Sequence, residues 1–191
     1  LYGILLFFQF ISPQPSQRNV LNQIYKNWID NRLKDESPLT AVQSLRNFMM
    51  GNSTFISALF ILLGLLVGFY SSFPQIEMSF WGNENLRLIE VQFTLNVVVI
   101  VFCLLNFIFS IRMITRVSSL VSGSPQIYSV GNFQGLEITR KTYISAQNHW
   151  MLGVRGLFFL MATLVWFLNG IVFLVTTIMV TSYLCFNDIW V

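Results

Sequence analysis

Residues 157–186 read LFFLMATLVWFLNGIVFLVTTIMVTSYLCF, thirty residues without a charge. As one helix, at about 1.5 Å per residue, they reach about 45 Å, against roughly 30 Å for the hydrocarbon core of a bilayer. The run contains Asn169-Gly170, a turn dipeptide in other settings. Cutting there leaves pieces of 12 and 16 residues, each short of the roughly 20 that a span needs. Length therefore predicts one tilted helix projecting beyond the lipid, in preference to a re-entrant hairpin.

Three further apolar runs precede it. Residues 1–11 reach only about 16 Å, roughly half a bilayer core. They lack the basic segment and small-residue cleavage site of a signal peptide. They read as the end of a first spanning helix that begins before them. Residues 55–73 form the second run. Residues 95–114 form the third, interrupted mainly by Asn96, Asn106 and Arg112. The 191-residue chain is 54% hydrophobic and 10% charged, where a soluble domain carries about 25% charged residues. The expected fold is all-α: one integral membrane helical bundle over residues 1–191, four transmembrane helices with cytoplasmic helical extensions.

Charge sets the orientation. Residues 12–54 carry Arg18, Lys26, Arg32, Lys34 and Arg46, and residues 112–156 carry Arg112, Arg116, Arg140, Lys141 and Arg155. The connection between the second and third runs holds only Arg87, against Glu77, Glu84 and Glu90. Basic residues collect on the cytoplasmic side. Four spans alternate with this pattern, giving a multi-pass protein of the cell membrane with both termini outside. The formal charge of +3 then reflects topology, and nucleic acid is not an expected partner.

The cytoplasmic parts read as helical. In VLNQIYKNWIDNRL (20–33), Leu21, Ile24, Tyr25 and Trp28 share one face. That face suits either the membrane surface, with its aromatics at headgroup level, or the end of the bundle. Ser37-Pro38 reads as an N-cap with proline at the first helical position. One unbroken helix follows to Phe69. Residues 121–135, rich in glycine and serine, read as a loop.

No catalytic constellation is visible. His149 is the single histidine, and the two cysteines, Cys103 and Cys185, are far apart in sequence. That excludes a histidine-cluster zinc site or a bis-histidine haem. Residues 121–135 lack a phosphate-loop pattern. Neither a cofactor nor an enzymatic activity is expected. Three structural features stand out instead. Ser53, Ser57, Gly64 and Gly68 form a small-residue stripe that suits close helix packing. Asn106 and Asn169 lie inside apolar runs, where an asparagine needs a partner or lines a polar path. Arg46, Arg112, Arg116 and Arg155, with His149, form a tier at the cytoplasmic boundary. They either anchor to anionic headgroups or turn inward, Arg46 and Arg155 bonding Gln43, Asn47 or Gln147.

Three stretches carry a resemblance: AVQSLRNFMMGNSTFISA, NFIFSIRMITR and NHWMLGVRGLFFLMATLVWFLNG. They resemble the prokaryotic and plant membrane proteins grouped as domain-of-unknown-function family 599. Those proteins share a QxLRN motif entering a span, an NFxxSxR stretch, and a late GxR followed by aromatics and a turn. Gln43, Arg46, Asn47, Asn106, Arg112, Gly153, Arg155 and Trp166 match. Where the family often has Gly-Pro, Ile171 follows Gly170 here. The resemblance implies a four-span membrane fold and no defined activity. The expected role is a structural or accessory subunit of a membrane assembly, with lipids and either copies of itself or other membrane subunits as partners. The alternatives are an oligomeric channel or transporter for a small solute or anion, with Asn106 and Asn169 on its path, and, less favoured, a membrane enzyme or cofactor binder.

Overall fold

The computed structural model describes residues 17–34, 39–70, 88–123, 129–130 and 133–189. The expected first span (1–11), the Ser37-Pro38 cap and the connection holding Arg87 lie outside these residues. The elements are α1 (Gln17–Arg32), α2 (Leu39–Tyr70), α3 (Leu88–Ser122), a minimal β1 (Ser129–Val130) and β2 (Phe133–Gln134), α4 (Gly135–Val165) and α5 (Gly170–Ile189). The fold is all-α apart from the antiparallel β1–β2 ladder, in which Ser129 faces Gln134 and Val130 faces Phe133.

α2 runs unbroken through QSLRNFMMGNS into the apolar run, as its sequence predicts. At 32 residues it is about 48 Å long. α2 and α3 are each long and apolar enough to cross a membrane. Little of α2's apolar surface turns into the protein; Phe60 and Ile61 are 54% and 66% exposed. A core helix of a soluble protein would bury such residues, since exposed apolar patches of this extent are rare on soluble monomers.

α3 and α4 form the central antiparallel pair. Phe107 faces Gly153, Cys103 faces Gly156, and Asn96 bonds Thr163. α2 lies against α3, with Phe55 stacked on Phe107 at 5.2 Å. α1 lies against the start of α4: Trp28 stacks on Tyr143 at 5.0 Å and Tyr25 meets the same ring edge-on at 5.7 Å. Of the two settings open for α1, the bundle end is the one observed. Its buried face centres on Ile29, while Ile24 points outward.

The single tilted helix expected over residues 157–186 does not form. α4 ends at Val165, and a tight turn leads to α5 at Gly170. Trp166, Phe167 and Leu168 donate their amides three residues back, to Thr163, Leu164 and Val165, the spacing of a 3₁₀ turn. Length misleads here because the apolar run belongs to two helices. α4 starts at Gly135 and is 31 residues long, so its apolar end completes a long helix and needs no continuation. Trp166 stacks on Phe173 at 4.8 Å and Phe158 meets Tyr183 at 5.7 Å. α5 therefore doubles back along α4, and Ile189 heads for the end of the bundle where α2 begins. One straight helix would have carried it to the opposite end.

Candidate functional site

The α3–α4 seam holds the best-built polar geometry. One end, near the α4–α5 turn, is a closed hydrogen-bonded knot. Asn96 is fully buried. Its Nδ2 donates to the carbonyls of Gln92 (2.9 Å) and Thr163 (3.2 Å). Its Oδ1 accepts from Thr163 Oγ1 at 2.9 Å, a hydroxyl that Leu160 O shares at 3.0 Å. One turn away, Gln92 Nε2 donates to Trp166 O at 3.2 Å. That carbonyl lies past the end of α4, where helices leave acceptors unpaired. Gln92 and Asn96, four residues apart on α3, thus tie down the end of α4. On the far side of the turn, Asn169 Oδ1 accepts the Ile171 amide at 2.7 Å, the geometry of an N-cap.

Replacing Asn96 by Leu keeps the volume and removes the bonds to Thr163. Interhelical hydrogen bonds in membranes contribute about 0.6 kcal/mol on average and up to about 1.7. The expected loss is about 1 kcal/mol of unfolding free energy in detergent, with Thr163→Val costing less. An unchanged or raised stability in Asn96→Leu would count against the knot.

Between the two ends the helices touch. A Cβ built on Gly156 would lie 2.5 Å from Cys103 Sγ, and one built on Gly153 would lie 2.8 Å from Phe107 Cε1. These two glycines, in GVRG (153–156), are the close-packing small residues of the described structure. The stripe singled out on α2 is not. Ser53, Ser57, Gly64 and Gly68 lie on its exposed face, and nothing comes within 4 Å of a Cβ at Gly64 or Gly68.

Near the other end of the seam, Asn106 Nδ2 donates to Phe102 O at 2.9 Å. That bond fixes the orientation of the amide. Its Oδ1 then faces His149 Nδ1 at 3.0 Å, a contact that suits the tautomer with its proton on Nδ1. Asn106 is helix glue here, and Asn169 caps α5 beyond the far end of α4; the structure does not bring the two together on one path.

The QxLRN motif divides across α2. Leu45 is buried, while Gln43, Arg46 and Asn47 are exposed on the other side. Arg112 and Arg116 are also exposed. The inward-turning geometry considered for Arg46 is thus not the one observed. Arg155 is half-buried and stands apart from the tier. It sits between Gly153 and Gly156, level with α3 residues 103–107, roughly 10 Å along the axis from Arg112. Trp166 lies in the α4–α5 turn, against Phe173.

Charge at the α1–α4 contact is carried by Asp30 and Arg140, which pair through two bonds of 2.7 and 2.6 Å. Each side chain is about a third exposed, so screening limits the pair to about 1 kcal/mol or less. Burial raises the Tyr25 and Tyr143 hydroxyls above their ordinary value; a Gln147 hydrogen bond offsets part of this at Tyr143. Both rings therefore pack as neutral groups at neutral pH. On the exposed face, Lys141 lowers the carboxyl of Glu137 through a 2.7 Å pair one turn away. Among the described residues, no three His, Cys, Asp or Glu side chains gather to hold a metal ion.

Sequence reading missed Gln92, Thr163 and Gly156, and took Asn96 only as an interruption. Polar residues within apolar runs were the available signal for the knot. The GxxG spacing of 153–156 was the signal for the contact.

Together these features define an all-α protein with two helices of membrane-crossing length and a polar-tied, glycine-contacted central pair. The chain belongs to the family described as "Protein of unknown function, DUF599", whose profile matches residues 1–190. Neither the curated proteins nor the solved structures contain a match to it.

Proposed function

We propose that this protein is a multi-pass membrane protein acting as a structural or accessory subunit, with the outer face of α2 as its docking surface. The observation that carries the reading is that face itself. Gln43, Arg46, Asn47, Gly51, Ser57, Gly64 and Gly68 are all exposed, and nothing lies within 4 Å of a Cβ at Gly51, Gly64 or Gly68. Small residues in lipid let a second helix approach closely and gain dispersion contacts. The exposed amides at one end supply polar partners for it.

In this reading α2, α3, α4 and α5 each cross the membrane, the single pass expected over residues 157–186 becoming two. α5 is short: its apolar part, Gly170–Phe186, reaches about 26 Å, slightly under one hydrocarbon thickness. The end of the bundle holding α1, the start of α2 and the β1–β2 ladder carries most of the basic residues, which supports a cytoplasmic location. The α4–α5 hairpin then directs the C-terminal end back toward the cytoplasm.

The docking surface is tested by Gly64→Leu with Gly68→Leu, two changes with open space around them. We expect the assembly seen by native mass spectrometry from membranes to fall apart, while the unfolding midpoint of the single chain stays within about 0.5 kcal/mol of wild type. An intact assembly in this variant would sink the assignment.

A further inference from the structure

We propose that Arg46, Arg112 and Arg116 form the headgroup site for one anionic phospholipid, on the exposed side of the α2–α3 seam. The register of the seam brings them together. Tyr70 meets Phe93 at 4.2 Å, Phe55 stacks on Phe107 at 5.2 Å, and Thr115 Oγ1 donates to Met49 Sδ at 3.4 Å. These contacts follow one another along antiparallel helices and place Arg46 level with Val117, next to Arg116. Arg112 lies one turn from Arg116 toward the middle of α3, about 6 Å along the axis. Residues three or four apart share a helix face. Arg46 therefore shares the face of Met49, and Arg112 that of Thr115 and Arg116. All three arginines are exposed, beside the Met49–Thr115 contact.

Two observations point to an anionic lipid. The first is charge. Near this end of the bundle Asp30 bonds Arg140 and Glu137 bonds Lys141. Among the described residues, no carboxylate pairs with Arg46, Arg112 or Arg116. Glu90, in the first turn of α3, lies about 33 Å along the axis from Arg112. Three like charges so close repel one another until an anion lies among them, and the arginine fork matches phosphate oxygens two at a time. The second observation is the face that these arginines end. Leu105, Ile108 and Phe109 are exposed on α3, at helical spacing to Arg112, where the face turns from apolar to basic. α2 repeats the change, with Phe60 and Ile61 exposed beyond Arg46. An acyl chain lies along the apolar stretch when its phosphate lies among the arginines; a free anion makes no use of that stretch. The inference rests on the membrane reading of α2 and α3. It is independent of the docking surface, since Gly64 lies about 27 Å along α2 from Arg46.

The test uses the full chain in mild detergent. Native mass spectrometry follows the binding of added phosphatidylglycerol, or of phosphatidylcholine with the same acyl chains. One phosphatidylglycerol should stay bound at concentrations that leave phosphatidylcholine free. Arg46→Gln, Arg112→Gln and Arg116→Gln should each weaken its binding about fivefold. Lys26→Gln, the same loss of charge at an exposed position of α1, should leave it unchanged. All four changes are at exposed positions, where substitution leaves the fold intact. Inorganic phosphate should displace the lipid no better than chloride at equal ionic strength. Displacement by phosphate alone, or a loss in Lys26→Gln as large as in the arginine variants, overturns the site. Equal binding of the two lipids by a chain that needs detergent to stay dispersed overturns the site and leaves the membrane reading standing. A chain that stays dissolved without detergent overturns both.

Discussion

Phe107→Ala should cost the protein about 3–5 kcal/mol of unfolding free energy, the range for a fully buried phenylalanine. The ring is the bolt of the bundle. One face stacks on Phe55 of α2, and its edge fills the space left by the missing side chain of Gly153 on α4. Truncation opens a void that two helices line, and neither can close it without shifting the other. Where the surroundings are lipid, the loss is of dispersion contacts more than of hydrophobic transfer. Phe60→Ala, on the exposed face of α2, should move stability by no more than about 0.5 kcal/mol. Unfolding in increasing SDS, followed by tryptophan fluorescence, compares the two. Similar losses for both would mean that Phe107 is not the contact described.

Gly156→Ala should cost about 1–3 kcal/mol, the usual penalty for overpacking, and Cys103→Ala should give most of it back. The added Cβ falls 2.5 Å from Cys103 Sγ, while the next atoms, on the Phe102 ring, are 3.4 Å and 3.5 Å away. The sulfur is thus the only close obstacle. Cys103 is itself fully buried, so the thiol cannot swing into open space. With the thiol gone, the remaining contacts are ordinary ones. A double-mutant cycle reads the coupling directly. Losses that simply add would show that α3 and α4 do not approach closely at Gly156. Gly64→Ala, a change of the same chemistry on α2, should show no such penalty.

These two cases also mark where the sequence was legible. Apolar length and low charge were enough to read an all-α protein and the unbroken α2, because lipid-compatible helices announce themselves in composition. Helix boundaries inside apolar sequence were not readable. Asn169-Gly170 carried the right signal, and the resemblance placed a turn after Trp166. The length of the apolar run points the other way only if α4 begins near residue 157, whereas it begins at Gly135. Nothing in residues 135–156 marks how deep that helix runs; only its partner does, through Gly153, Gly156 and Thr163. The small-residue stripe illustrates the same limit. Spacing singled out GLLVG in α2 and passed over GVRG in α4, because spacing does not name the neighbour. Arg155 was grouped with Arg46 and Arg112 by sequence distance from apolar runs, and the α3–α4 register separates it from them. The candidate site was legible one residue at a time, as with Asn106, and not as pairs, since the partners come from helices more than 40 residues apart in the chain.

The α4–α5 hairpin is the feature on which the proposed membrane arrangement turns, and sidedness tests it most directly. In a Cys103→Ala, Cys185→Ala background, one variant carries Ser129→Cys, in the β1–β2 ladder, and another carries a cysteine appended after Val191. A membrane-impermeant maleimide applied to right-side-out and inverted vesicles reports the side of each. Labelling of both cysteines from the same, cytoplasmic side is the result predicted. Labelling from opposite sides would contradict the hairpin arrangement and restore a single crossing over residues 157–186.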